Sequence, residues 1–212
     1  MSDITAREAI LKKIRQALSQ PVPSRFPNVD WEKPVYQAGS ETLAEQFAVA
    51  FTKVGGNFVY CESELEFLEN VITLAEENGW KNFYCYEKEI AARMDEADFP
   101  YTIEKDTFPE DMVSITSCEA LIARLGNVLV SSRQGSGRRL FVAPAVHIIL
   151  AYSNQIHPEL KDALAAIKEK YRDQMPSMIA SLAGPSRTAD IEKTLVSPAH
   201  GPKSIFVFLI DR

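Results

Sequence analysis

The sequence predicts an α/β domain, a mostly parallel sheet flanked by helices, on three observations. From Ser40 onward, apolar stripes at helical spacing alternate with apolar runs of strand length. Gly55-Gly56 and Asn78-Gly79 supply helix stops, and a strand-like run follows each. Alternation of this length is most economically built as a three-layer sandwich with right-handed crossovers.

The elements follow in order. Thr5-x-x-Glu8 is a capping box ahead of Ile10, Leu11, Ile14, Ala17 and Leu18, one apolar stripe of a helix ending near Ser19. Pro21, Pro23, Pro27 and Pro34 then mark an extended arm through Trp31 and Tyr36, because proline has no amide proton to give a helix. Residues 1–39 are read as this helix and arm, the arm lying on the chain's own domain, on a partner or partly disordered, and 40–212 as one α/β domain. A helix carrying Leu43, Phe47, Ala50, Phe51 and Val54 leads to a strand from Asn57 to Cys61. Ser63-x-x-Glu66 opens a second helix with Leu65, Leu68, Ile72 and Ala75, followed by a strand from Asn82 to Tyr86 and a short helix from Glu89 to Met94. Further strands are predicted at 101–104, 121–123, 127–131, 147–152, 178–182 and 204–210, with a helix over 158–170. No element is assigned between 105 and 120.

Composition bounds the function. At 212 residues, 46% hydrophobic and 25% charged, the chain is long enough for one well-buried core. Lys+Arg 23 against Asp+Glu 29 gives a net charge of −6, which argues against broad attraction to nucleic acid or an anionic membrane but leaves local basic clusters open. No apolar run reaches membrane-span length and the N-terminus lacks a signal-peptide core, so a cytoplasmic protein with no membrane span is expected. Cys61, Cys85 and Cys118 are dispersed, odd in number and never spaced C-x-x-C. They fall short of the four thiolates an iron–sulfur cluster normally takes, so no cofactor or metal is expected in this chain and buried structural thiols are favoured.

The densest chemistry lies at 183–202. A strand ends at Gly184-Pro185, and Ser186, Thr188 or Asp190 is placed to cap the turn that follows. Free amides there, with the two hydroxyls and the planar fork of Arg187, suit a carboxylate or phosphate. The competing reading pairs Arg187 with Asp190 or Glu192 on the surface. His200, in Ala-His-Gly-Pro, is the candidate acid–base group beside Asp190 and Glu192, with a structural turn role left open. His147 reads as a buried, hydrogen-bonded core residue and His157 as a surface lead-in to a helix. A second polar loop, 131–139, holds Arg133, Arg138 and Arg139 among glycines and serines and reads either as a phosphate-wrapping loop or as a solvated hairpin, the latter favoured for Arg133 and Gly135; loops at strand carboxyl ends share a crevice, so on the first reading it and the Gly184 loop face one ligand.

The run Gly-Pro-Ser-Arg-Thr-Ala-Asp-Ile-Glu at 184–192, with Leu195-Val196, His200-Gly201-Pro202 and a terminal apolar strand, resembles the LUD-domain family of the lactate-utilisation protein C type. The likeness extends upstream through Arg138-Arg139-Leu140, Pro144 and His147-Ile148-Ile149, which adds weight to Arg139 as a ligand contact. Two positions depart from the family pattern: Arg124-Leu125 stands where it has Glu-Thr, and Pro198-Ala199 precedes the His-Gly-Pro where it has Gly.

The resemblance implies the Rossmann-like sheet shared by sugar-phosphate isomerases, CoA transferases and formyltetrahydrofolate cyclo-ligases. It further implies an accessory role in oxidising L-lactate to pyruvate, with iron–sulfur clusters carried by partner proteins and a small anion bound at Gly184, Ser186, Arg187, Thr188 and Arg139. The alternatives are a stand-alone enzyme acting on a phosphate or CoA ester, with Asp190 or Glu192 as base or nucleophile, and a non-catalytic binding module. Homo-oligomerisation stays open.

Overall fold

The computed structural model describes residues 5–19, 28–30, 40–104, 108–185, 188–189, 195–196 and 201–212. The chain forms two compact units, Met1–Ser40 and Glu41–Arg212. In the first, α1 (Ala6–Leu18) begins at the expected capping box: the Thr5 hydroxyl accepts from the Glu8 amide and the Glu8 carboxylate accepts from the Thr5 amide.

The second unit is built on a five-stranded parallel sheet. Its strands are β1 (Asn57–Cys61), β2 (Phe83–Tyr84), β3 (Val113–Ser117), β6 (Val146–Tyr152) and β11 (Ser204–Ile210), in the order β1-β11-β6-β3-β2. A second sheet, in the order β7-β4-β5-β8, combines β4 (Ala120–Ile122), β5 (Asn127–Ser131), β7 (Ile156–His157) and β8 (Ile179–Leu182). Side-chain alternation along β6 and β11 divides the core between the two faces of the parallel sheet. Ile148, Leu150, Phe208 and Ile210 meet Phe67, Leu68 and Val71 of α3 (Glu64–Asn78) and Ile90 and Met94 of α4 (Lys88–Glu96). Ile149, Ala151, Val207 and Leu209 meet Phe47 and Phe51 of α2 (Leu43–Lys53) and the inner residues Leu121, Val128 and Val130 of the second sheet. The far side of that sheet is covered by Ala163 and Ile167 of α5 (Leu160–Tyr171).

The α/β class is therefore as the sequence predicts, with three departures. β3 is a central strand in the stretch left unassigned; its alternating residues, Ser114 and Thr116, are hydroxyls buried by hydrogen bonds to Leu140 O and His147 rather than solvent-facing polars. The predicted strand at 101–104 contributes a single bridge, Thr102 to Tyr84. His157, read as a lead-in to a helix, precedes α5 by three residues but is itself in β7, paired parallel to β4.

Two features fix how the second sheet meets the rest. Gly126, in the β4–β5 turn, has φ +62°, and an ideally placed Cβ there would lie 2.4 Å from Phe51 N and 2.5 Å from Ala50 C of α2. Arg124 forks onto Glu159 at the start of α5, with Nε and Nη2 2.6 and 2.8 Å from its two carboxylate oxygens.

Candidate functional site

At the carboxyl ends of β2 and β3 a polar cluster joins the 131–139 loop to Glu87 and Ser117, two residues that sequence reasoning did not single out. Glu87 is the N-cap residue of α4, yet its side chain makes no cap; it turns to the end of β3. There Oε1 accepts from the Ser117 amide (2.9 Å) and Oε2 from the Ser117 hydroxyl (2.5 Å), while the Ser136 hydroxyl also donates to Oε1. Gln134 closes the cluster, donating to Ser117 O (2.7 Å) and Oγ (3.0 Å) and accepting from the Ser131 amide (2.7 Å). The hydroxyls of the polar loop after β5 are thus engaged within the chain: Ser136 donates to Glu87, Ser131 to Glu119, and Ser132 pairs with Ser177. Its arginines are also engaged. Arg133 donates to Gln174 O, Arg138 to the Ser177 hydroxyl, and the Arg139 guanidinium lies 4.8 Å over the Phe108 ring.

Beside this cluster Glu119 is a buried carboxylate, 7% exposed, held by Ser131 Oγ (2.5 Å), Tyr171 Oη (2.7 Å) and Lys170 Nζ (2.8 Å). Burial alone would raise its pKa, but the three donors outweigh it and the pKa lies below its ordinary value. These contacts tie the end of α5 to β5. The available sequence signal was an acid, Glu119, inside an otherwise apolar run from Cys118 to Ala123.

His147 is fully buried on β6, as expected. The Thr116 hydroxyl contacts its Nε2 at 2.8 Å and also reaches Ser117 O at 3.0 Å. A hydroxyl has one proton; given to the carbonyl, it leaves Thr116 Oγ1 to accept from Nε2–H and Nδ1 as a lone pair that no described residue satisfies. Burial pushes the ring pKa from 6.5 down to about 3, so His147 is neutral in the fold and charges on unfolding. Stability from this group is therefore complete above pH 6.5 and is lost as pH falls toward 3, by at most about 1.4 kcal/mol per pH unit. Urea titrations of wild type and His147→Gln between pH 6.5 and 4.5 are expected to show a decline that the variant lacks; a flat wild-type profile would refute the assignment.

The residues proposed from the 183–202 segment divide. Ser186, Arg187, Asp190, Glu192 and His200 lie outside the described residues. Thr188 and Ala189 form β9, paired antiparallel with β10 (Leu195–Val196), so Thr188 is in a strand rather than at a helix cap. Gly184 packs against Val54 O, at the end of α2 leading into β1.

The structure does not bring the Gly184 segment and the 131–139 loop together. β5 and β8 are antiparallel, with Ser131 opposite Ile179 and Val128 opposite Leu182. The loop after Ser131 and the turn after Leu182 consequently leave opposite ends of the second sheet, roughly 15 Å apart for a strand of this length. Arg139, against Phe108, which stacks on Tyr84 of β2, lies toward the opposite edge of the parallel sheet from Gly184.

The three thiols also sit apart. Cys61 ends β1 and Cys85 follows β2, the two outer strands of the sheet, separated by four strand spacings or roughly 19 Å. Burial pushes all three thiols up, Cys85 to about 12, which keeps them protonated at neutral pH. Among the described residues, no group of three or more His, Cys, Asp or Glu side chains is placed to hold a metal. A cavity of about 550 Å³ opens between the C-terminal ends of α3 and α4, floored by Ala75, Trp80, Phe83 and Phe99. It contains none of the predicted site residues.

Comparison with known proteins gives these features a family. The chain is 35% identical over 103 residues to lactate utilization protein C of Bacillus licheniformis, covering 47% of this chain and 43% of that one. It is 33% identical over 110 residues to its namesake in Geobacillus thermodenitrificans, covering 50% and 46%. The match thus spans under half the length of these relatives. An uncharacterized protein of Neisseria meningitidis serogroup B aligns at 27% identity over 98% of this chain and 94% of its own length. Among solved structures, a DUF162 family protein from Deinococcus radiodurans shares the fold, with a TM-score of 0.58 and 18% identity over 79% of this chain and 96% of that one. The LUD domain model matches residues 44–210, from the second residue of α2 to the last residue of β11, and on that match the chain belongs to the LUD domain family.

Proposed function

We propose that this chain serves L-lactate utilisation as an accessory component, working with separate iron–sulfur proteins that oxidise L-lactate to pyruvate. The observation that carries the reading is the family match over 44–210 together with relatives named lactate utilization protein C. The placement of the cysteines supports putting the clusters on partners, since Cys61 and Cys85 cannot meet across the sheet and their buried thiols resist deprotonation. Within this role the chain binds a small anion through amides after Gly184 and the hydroxyls and guanidinium of Ser186, Arg187 and Thr188, with His200 beside Asp190 and Glu192.

Deleting the gene in its host tests the reading. Growth on L-lactate as sole carbon source is expected to fail while growth on glucose continues, and the wild-type gene restores it; undiminished growth on lactate overturns the proposal. The anion site is tested separately by calorimetric titration with lactate, pyruvate, nucleotides, CoA and sugar phosphates. A ligand so found is expected to bind Arg187→Lys roughly tenfold more weakly, because lysine keeps the charge and loses the fork. Affinity unchanged from wild type in both Arg187→Lys and Arg187→Ala would remove Arg187 from the site.

A further inference from the structure

Among the α-helices, α1 carries the largest charge opposite to that of the whole chain. It carries Arg7, Lys12, Lys13 and Arg15 against the single carboxylate Glu8, a net +3 in a chain of net −6. None of its residues is buried, and its large apolar residues face solvent: Ile10 is 59% exposed, Ile14 49% and Leu18 75%, with Leu11 beside them. At 100° per residue these four fall within an arc of about 100°; Lys12, Lys13 and Arg15 lie outside it, and Arg7 falls inside it at the N-terminal end of the helix. The helix is also closed at both ends, by the Thr5–Glu8 box and by the Ser19 amide donating to Arg15 O and Ala17 O.

We propose that α1 is an interfacial anchor, which lies in the plane of an anionic lipid surface with Ile10, Ile14 and Leu18 in the headgroup–acyl boundary and Lys12, Lys13 and Arg15 toward the lipid phosphates. Charge complementarity selects the occupant. An apolar stripe with cations on its flanks is what an interfacial helix needs, whereas pairing two copies of α1 would set +3 against +3. The negative charge of the rest of the chain is screened beyond about 8 Å at physiological salt, while residues at the surface gain the full lipid attraction. With four large apolar residues the contact is reversible, and α1 lies on the membrane rather than crossing it; no helix among the described residues is long and apolar enough to cross. The inference stands apart from the proposed role in lactate utilisation.

The test is sedimentation of the full chain with vesicles of roughly 2:1 phosphatidylcholine and phosphatidylglycerol, compared with phosphatidylcholine alone. Binding is expected to the anionic vesicles only, and to fall as salt is raised. Ile14→Asp, at a solvent-facing position, should leave the melting temperature unchanged and weaken binding by about tenfold or more. Lys12→Glu with Lys13→Glu should abolish the preference for anionic lipid. Absence of binding, equal binding to both vesicles, or unchanged binding by Ile14→Asp would overturn the proposal. So would a dimer in lipid-free solution that Ile14→Asp dissociates, since a second copy would then cover this face.

Discussion

Gly126→Ala is expected to destabilise the fold by about 3 kcal/mol or more and to lower the Tm by roughly 6–12 °C. Two costs combine. The residue sits at φ +62°, where a side chain costs roughly 1–2 kcal/mol, and the new methyl would lie 2.4 Å from the Phe51 nitrogen. That neighbour is helix backbone and cannot rotate aside. α2 would have to lift from the β4–β5 turn and carry Phe47 and Phe51 out of the core they share with Val128 and Val207. Gly79→Ala is the control: Gly79 caps α3 at φ +68°, but nothing lies within 4 Å of its would-be Cβ, so only the backbone cost remains. Denaturation of the two variants separates the terms. Equal losses would show that close approach of α2 contributes nothing.

Glu119→Ala should be nearly as costly, about 2–4 kcal/mol, because it strips Ser131 and Tyr171 of their acceptor and Lys170 of its counter-ion. Lys170 is largely exposed and can turn to water, which holds the loss below that of a fully buried pair. The carboxylate also has a pH signature. Its folded-state pKa lies below 4.5, so its stabilisation is complete above that value and is lost as pH falls through the folded-state pKa. Glu119→Gln should keep part of the hydrogen bonding and lose this acid-side term. A variant as stable as wild type at pH 7 and equally acid-sensitive would show that the network contributes nothing.

Much of the helix and strand pattern was legible because its signals are local. Thr5 and Ser63 accept from the amide three residues on, Gly79 adopts the left-handed conformation that ends α3, and the apolar runs from Asn57 to Cys61 and from Ser204 to Ile210 coincide with β1 and β11. β3 escaped because its polar alternation reports buried hydroxyls whose partners, Leu140 and His147, are remote in sequence. The polar cluster escaped for the same reason: Glu87 lies 30 residues from Ser117 and 49 from Ser136, and only the sheet order brings them together. Register, not composition, decided that the Gly184 turn and the 131–139 loop leave opposite ends of β5 and β8.

The place of β11 governs the order in which the sheet can be completed. It lies between β1 and β6, and it is the only partner β1 has in the parallel sheet among the described residues. Asn57 is in register with Phe206 and Cys61 with Ile210, so the earliest strand waits for the last. A chain emerging from the ribosome can pair β2, β3 and β6 as they appear, but β1 and the α2 and α3 surfaces beside it have no ladder to join until Ser204–Ile210 arrives. The loop-closure entropy of nearly the whole domain is met in that one insertion, which gives the fold a slow, late-committing step and leaves the apolar flank of β6 in need of protection until then.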